Sequence, residues 1–227
     1  MRELFTRELE KVTEDLVEMA TDVVTAIEGA SVALQTADLA VAERVIDADA
    51  AIDELERELD ERCVEILARQ APVAGDLRLI LTALRMSASI ERMGDLARHI
   101  AQVARGRYPH HAVPEVFKET FDQMATAATQ IARSVVELLE SPETARASQI
   151  EAADDTLDDL HRDIFRVLLT EKDSLTNQEV VDVTLLGRYY ERFGDHAASV
   201  GHRAIYLLTG DLAEFTREPG HVSTGSA

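Results

Sequence analysis

Glu91-Arg92-Met93-Gly94-Asp95 returns as Glu191-Arg192-Phe193-Gly194-Asp195, the same five-residue phrase one hundred positions later in a chain of 227 residues. On an α-helix, residues four apart share a face, so each phrase stacks two carboxylates that repel one another unless a cation lies between them. A second acidic pair repeats as well: Asp49 and Asp53 correspond to Asp154 and Asp158, at an offset of 105 and again four apart. Acidic pairs at that spacing arise by chance in so acidic a chain, and Glu14 with Glu18, or Glu61 with Glu65, read as solvated helix faces. Pairs kept in register through a duplication are not explained by composition. Hard, oxygen-rich sets of this kind suit iron, manganese, magnesium or calcium, with zinc less favoured.

The four pairs can meet only if the helices carrying them fold back on each other. In an antiparallel hairpin, residues face one another when they are equidistant from the turn. Asp49 with Asp95, and Asp53 with Glu91, are both centred on Pro72; Asp154 with Asp195, and Asp158 with Glu191, are centred between Ser174 and Leu175. The expected sites are therefore Asp49, Asp53, Glu91 and Asp95 in the first half, and Asp154, Asp158, Glu191 and Asp195 in the second. His161, three residues after Asp158, could add a nitrogen, as could His196; Glu56 is the first-half counterpart of His161. The competing reading is that these acids form salt bridges with Arg92, Arg192, Arg98 or Arg57. Gly94 and Gly194 each cost a helix up to about 1 kcal/mol relative to Ala, which points to close helix approach at both positions.

The elements that must hold these residues follow from periodicity. Leu9, Val12, Leu16, Met19, Val23, Ala26, Ala30 and Ala33 alternate spacings of three and four, the mark of a long helix with a packing seam, over about 3–35. Phe117, Phe121, Met124, Ala128, Ile131, Val135 and Leu138 repeat that register at the 105 offset. A second helix in each half presents Ile46, Ile52, Leu55, Leu59, Val64 and Leu67, or Ile150, Leu157, Leu160, Ile164, Val167 and Leu168. Before the second of these, Ser141 is placed to cap and Pro142 to occupy the first helical position. Third helices over about 76–105 and 177–209 carry the acidic phrases, the latter opened by a capping box at Thr176 and Glu179. Gly106 to Pro114 reads as a helix-breaking linker.

The fold class is therefore all-α: two tandem, internally repeated three-helix bundles of six long helices, with domains over 1–107 and 108–213 and a disordered tail over 214–227. An aromatic content of 4% with no Trp agrees with long packed helices. A net charge of −20 argues against nucleic acid and anionic lipid as partners, and for metal cations and basic protein patches. No stretch suggests a signal peptide or a membrane span, so the expected location is cytoplasmic. Cys63 reads as a small packed hydrophobe. None of the predicted helices carries Glu-x-x-His, and a Gly-rich phosphate loop, a nucleophile elbow and a Cys/His zinc cluster are all missing, which weakens the enzyme reading.

With tandem three-helix units carrying ERMGD and ERFGD, Asp-x-x-x-Asp on the preceding helices, and Pro72-Val73-Ala74-Gly75-Asp76-Leu77-Arg78 ahead of the first phrase, residues 1–212 resemble the PhoU family of phosphate-uptake regulators, its actinobacterial members especially. The resemblance implies a negative regulator of the phosphate-starvation response rather than a catalyst. Its expected partners are the ATPase subunit of the phosphate ABC transporter and a sensor histidine kinase, through which it would associate with the membrane without inserting. It also implies metal on the eight carboxylates, iron first, with zinc, manganese or magnesium as alternatives; a homodimer is left open. The alternative from another class is a helical carboxylate-bridged metalloprotein with oxidase or metal-storage activity.

Overall fold

The computed structural model describes residues 2–171 and 174–210. The seams read from the sequence become six α-helices: α1 (Arg2–Thr36), α2 (Leu39–Gln70), α3 (Gly75–Arg107), α4 (Lys118–Glu140), α5 (Thr144–Glu171) and α6 (Asn177–Thr209). A short 3₁₀ turn, Glu115–Phe117, leads into α4 and buries Phe117 completely. The expected tail over 214–227 lies outside the described residues. At 1.5 Å per residue, α1 is about 50 Å long, so the connections lie at the ends of a rod and sequential helices run antiparallel.

Burial tells inner helices from outer ones. α1, α3, α6 and α4 close a four-membered ring in which each touches the next, whereas α2 packs outside on α1 and α3, and α5 outside on α4 and α6. Inner helices must bury more than one face, and small residues let them do so: α3 buries Ser87, Gly94, Ala97, Ala101 and Ala104, and α6 buries Gly187, Gly194, Ala197, Gly201 and Ala204. α2 buries one stripe, Ala42, Val45, Asp49, Ile52, Leu59, Cys63 and Ile66, as an amphipathic outer helix should. Asp49 is the one charged residue in that stripe.

The duplication is visible in the packing. Glu28 of α1 and Arg133 of α4 are equivalent positions, 105 apart, and they pair with each other at 2.6 Å. Contact between equivalent residues occurs where a two-fold axis passes. Gln35 bonds Asp122 at 2.9 Å, and the symmetry-related pair, Val17 and Glu140, line one groove on the far side. An approximate two-fold axis therefore relates the repeats.

One local expectation holds: Thr176 and Glu179 form the expected capping box on α6. The structure adds a cap on α2, where Asp38 accepts from the Val41 amide at 3.1 Å. Other expectations are corrected. Gly106 lies within α3, which runs to Arg107 because its flanking apolar residues still have core to bury against. Ser141 does not cap α5; its amide bonds Glu137 and closes α4, and α5 starts at Thr144. Val64 is 61% exposed, and the neighbouring Cys63 takes the inward position, since α2 shows the core only one narrow stripe. Burial pushes the Cys63 thiol up to about 11, so it stays protonated and inert.

Candidate metal centre

The loops between α2 and α3 and between α5 and α6 set the register of the two hairpins. With α2 ending at Gln70 and α3 starting at Gly75, and α5 ending at Glu171 and α6 starting at Asn177, the turns fall where the equidistance argument puts them. The carboxylates accordingly feel one another across each hairpin.

In the first hairpin Asp49 is buried, Glu91 and Asp95 have side chains 14% and 13% exposed, and Asp53 lies exposed at the rim. Arg98 of α3 reaches over the site, donating to Asp49 Oδ2 at 2.6 Å and to Asp95 Oδ1. Arg92 pairs with Asp95 at 2.7 Å and with Glu91 at 3.4 Å. Burial, then the charge of Asp95, pushes Glu91 up to about 7 against the pull of Arg92, and Glu56 and Asp53 of α2 add to the effect. Asp49 is raised by burial, Arg98 opposing and Asp53 and Asp95 reinforcing. Glu56 is raised by burial, then by Asp60 and Asp53, so it belongs to the same negative cluster.

In the second hairpin Asp154 is pushed up to about 7 by burial, then by Asp195, Asp158, Asp155 and Glu191. Glu191 is pushed up to about 7 by burial and Asp195, with Arg188 opposing. Asp195, at the exposed edge, is raised by burial of part of its carboxyl and by Asp158. Three buried polar atoms have no hydrogen-bond partner here: Asp154 Oδ1, Glu191 Oε2 and His161 Nε2. Arg188 engages only the other oxygen of Glu191, Oε1. His161 rests edge-on against Phe165 with ring centroids 5.1 Å apart.

The helical glycines make room for these groups. A Cβ on Gly194 would stand 2.2 Å from Asp154 Oδ1, and one on Gly187 would stand 2.8 Å from Ile164 Cδ1 and 3.2 Å from His161 Cδ2. On Gly94 it would meet Ile52 Cδ1 at 2.9 Å, with Asp49 Oδ1 at 3.6 Å. Close approach is thus the reason for both repeated glycines, but the approaching group is an aliphatic side chain in one repeat and a carboxylate in the other.

Chemically, each hairpin holds a set of hard oxygen donors whose charges act on one another, and the second adds an imidazole nitrogen. Among the described residues no three Asp, Glu, His or Cys side chains are drawn in to one common point. The ion-pair reading is realised in part. Arg92 and Arg98 serve it; Arg57 instead pairs with Glu54 and Glu61 on its own helix, and Arg192 forms no ion pair among the described residues. His196 does not join the carboxylates: it is half-buried among arginines and pushed down to about 4 by burial, then by Arg192, Arg92 and Arg203. Two residues escaped the sequence reading. Gly187, whose first-half counterpart is Ser87, carried a signal only as an unpaired helical glycine, and Arg188 lay outside the repeated phrase.

A family model described as the PhoU domain matches residues 16–104 and again 121–204. The "Phosphate-specific transport system accessory protein PhoU homolog 2" of Mycobacterium tuberculosis is 43% identical over 210 residues, covering 92% of this chain and 99% of that one. Homolog 1 of Mycobacterium leprae is 41% identical over 220 residues, 97% and 99% of the two chains. Among solved structures, the crystal structure of PhoU from Pseudomonas aeruginosa superposes with a TM-score of 0.82 at 29% identity, covering 91% of this chain and 100% of that one.

Proposed function

This chain belongs to the PhoU domain family, and on that premise we propose that it is a non-catalytic accessory regulator of phosphate uptake. It acts in the cytoplasm as an adaptor that takes the state of a phosphate-specific ABC transporter from the transporter's ATPase subunit and passes it to a sensor histidine kinase. The starvation response is held off while phosphate is plentiful. The observation that carries this reading is similarity along nearly the whole chain to proteins named as accessory to phosphate-specific transport. Two features support it. Long amphipathic helices expose apolar side chains such as Leu81, Val181, Leu185, Phe165 and Leu169, and a net charge of −20 favours encounter with basic patches on a partner. Among the described residues no helix is long and apolar enough to cross a membrane, and in this reading the chain meets the transporter through its protein partners.

The reading includes a metal held by the cross-hairpin carboxylates, iron first, with manganese, magnesium or zinc as alternatives. Its support is the pair of buried carboxylate oxygens left without a partner in the second hairpin, which an unpaired buried charge does not tolerate cheaply. When bound, the ion supplies charge neutralisation and a bridge between two helices, and the carboxylates orient it and fix the hairpin's shape.

Deletion of the gene in its host tests the regulatory role: phosphate-starvation genes should be derepressed in ample phosphate and silenced again when the chain is restored. Normal repression in the deletion strain overturns it. Co-purification with the ATPase subunit and with the kinase, with and without chelator, tests the adaptor role and its dependence on metal. Oxygen or peroxide turnover by iron-loaded protein would favour the oxidase alternative instead.

A further inference from the structure

The two carboxylate hairpins have the same acids and different cations. In the first, Arg98 spans the helices, donating one nitrogen to Asp49 Oδ2 at 2.6 Å and another to Asp95 Oδ1. Its counterpart in the second repeat, one hundred positions later, is Ala198, a buried methyl. Where the first hairpin has an internal guanidinium, the second has Asp154 Oδ1, Glu191 Oε2 and His161 Nε2 buried without partners.

The arginines of the second hairpin do not substitute: Arg192 forms no ion pair with these acids among the described residues, though its charge lowers Glu191 and Asp195 somewhat. Arg188 is half exposed and takes only Glu191 Oε1, leaving the inner oxygen free. The glycine contacts differ in the same sense. Asp154 Oδ1 reaches to 2.2 Å from where a Gly194 Cβ would stand, whereas Asp49 Oδ1 stops 3.6 Å short of the equivalent point on Gly94, because Asp49 is held towards Arg98.

A guanidinium and a metal ion compete for the same lone pairs. An ion on Asp49 and Asp95 would sit against a like charge in a buried setting, and displacing Arg98 would break a cross-helix pair whose acid partner is buried. The first hairpin therefore does not fit a metal, whereas the second leaves two buried carboxylate oxygens and an imidazole nitrogen unpartnered and open to one. We propose, resting on the metal reading above, that Arg98 is the built-in cation of the first repeat. The chain then binds metal only between α5 and α6, on Asp154, Asp158, Glu191 and Asp195 with His161 as nitrogen ligand. A mixed oxygen and imidazole set selects a first-row transition ion over magnesium or calcium.

The test uses the full chain, stripped with chelator, loaded with Co²⁺ and desalted, with retained metal measured by elemental analysis and ligation by visible absorption. Wild type retains cobalt, and Asp49→Asn with Asp53→Asn leaves that amount unchanged. Asp154→Asn with Asp158→Asn abolishes it, and His161→Gln shifts the ligand-field bands and weakens binding about tenfold or more. Arg98→Gln opens the first hairpin, so that retained cobalt roughly doubles. Ala198→Arg closes the second, and if its bulk prevents folding, Arg98→Gln still decides the matter. Wild type that retains no cobalt overturns the metal reading itself. Retention that falls equally with the first-repeat and second-repeat variants leaves that reading standing and overturns the role of Arg98.

Discussion

At the scale of single residues, the carboxylates of the second hairpin invert the usual relation between acid and stability. Asp154 and Glu191 titrate near 7 in the folded chain, raised first by burial and then by Asp195, while in the unfolded chain they titrate near 4. The folded state thus binds more protons between about pH 4 and 7, and without metal the protein loses stability as pH rises through that window. Each group contributes on the order of 1–2 kcal/mol after allowance for solvent screening. Thermal melts in chelator should give a higher Tm at pH 5.5 than at pH 8, and Asp154→Asn should raise the value at pH 8 and flatten the difference. An unchanged slope in that variant would mean that Asp154 is not the strained acid. The acids themselves could be read from the sequence by register. The different treatment of two phrases that differ only at Met93 and Phe193 turned on one aligned pair, Arg98 and Ala198, which the sequence displays but does not rank.

At the scale of the helix, glycine separates what a local rule can tell from what it cannot. Gly194 and Gly106 both lie inside helices, and propensity alone says that either gains up to about 1 kcal/mol on becoming alanine. Gly106 has open space where its Cβ would go, while at Gly194 the added carbon meets Asp154 Oδ1 at 2.2 Å and Leu157 Cδ1 at 3.0 Å. Denaturant unfolding should therefore show Gly106→Ala stabilised by about 0.5–1 kcal/mol and Gly194→Ala destabilised by about 1–3 kcal/mol. Equal effects would show that the α5–α6 approach is loose. The same contrast explains the misplaced linker: Gly106 signals a break by type, but burial of Ala101 and Ala104 carries the helix past it.

At the scale of the whole molecule, the repeats share a core. α1, α3, α4 and α6 each bury residues against the other repeat, and a buried bond of 3.1 Å joins Ser31 of α1 to the Tyr190 hydroxyl of α6. The exposed Glu28–Arg133 pair on the axis contributes little; the buried contacts do the joining. The chain should then unfold in guanidinium as one transition by both circular dichroism and tyrosine fluorescence. Tyr190→Phe, which leaves the Ser31 hydroxyl without its partner, should lower that single midpoint by about 1 kcal/mol of stability. Two separated transitions would show that the repeats fold independently.

The amino-acid sequence determined the helices, their seams, the duplication and the pairing of carboxylates across two hairpins, because each depends on spacing along one chain or on equidistance from a turn. It did not determine which helices are inner and which outer, why His196 lies among arginines instead of acids, or that one carboxylate set is neutralised from within while the other keeps buried oxygens unpartnered. Those depend on which side chain from a distant helix reaches a given oxygen first, and on how much water is excluded there. Burial and reach are properties of the packed bundle, and periodicity carries no record of them.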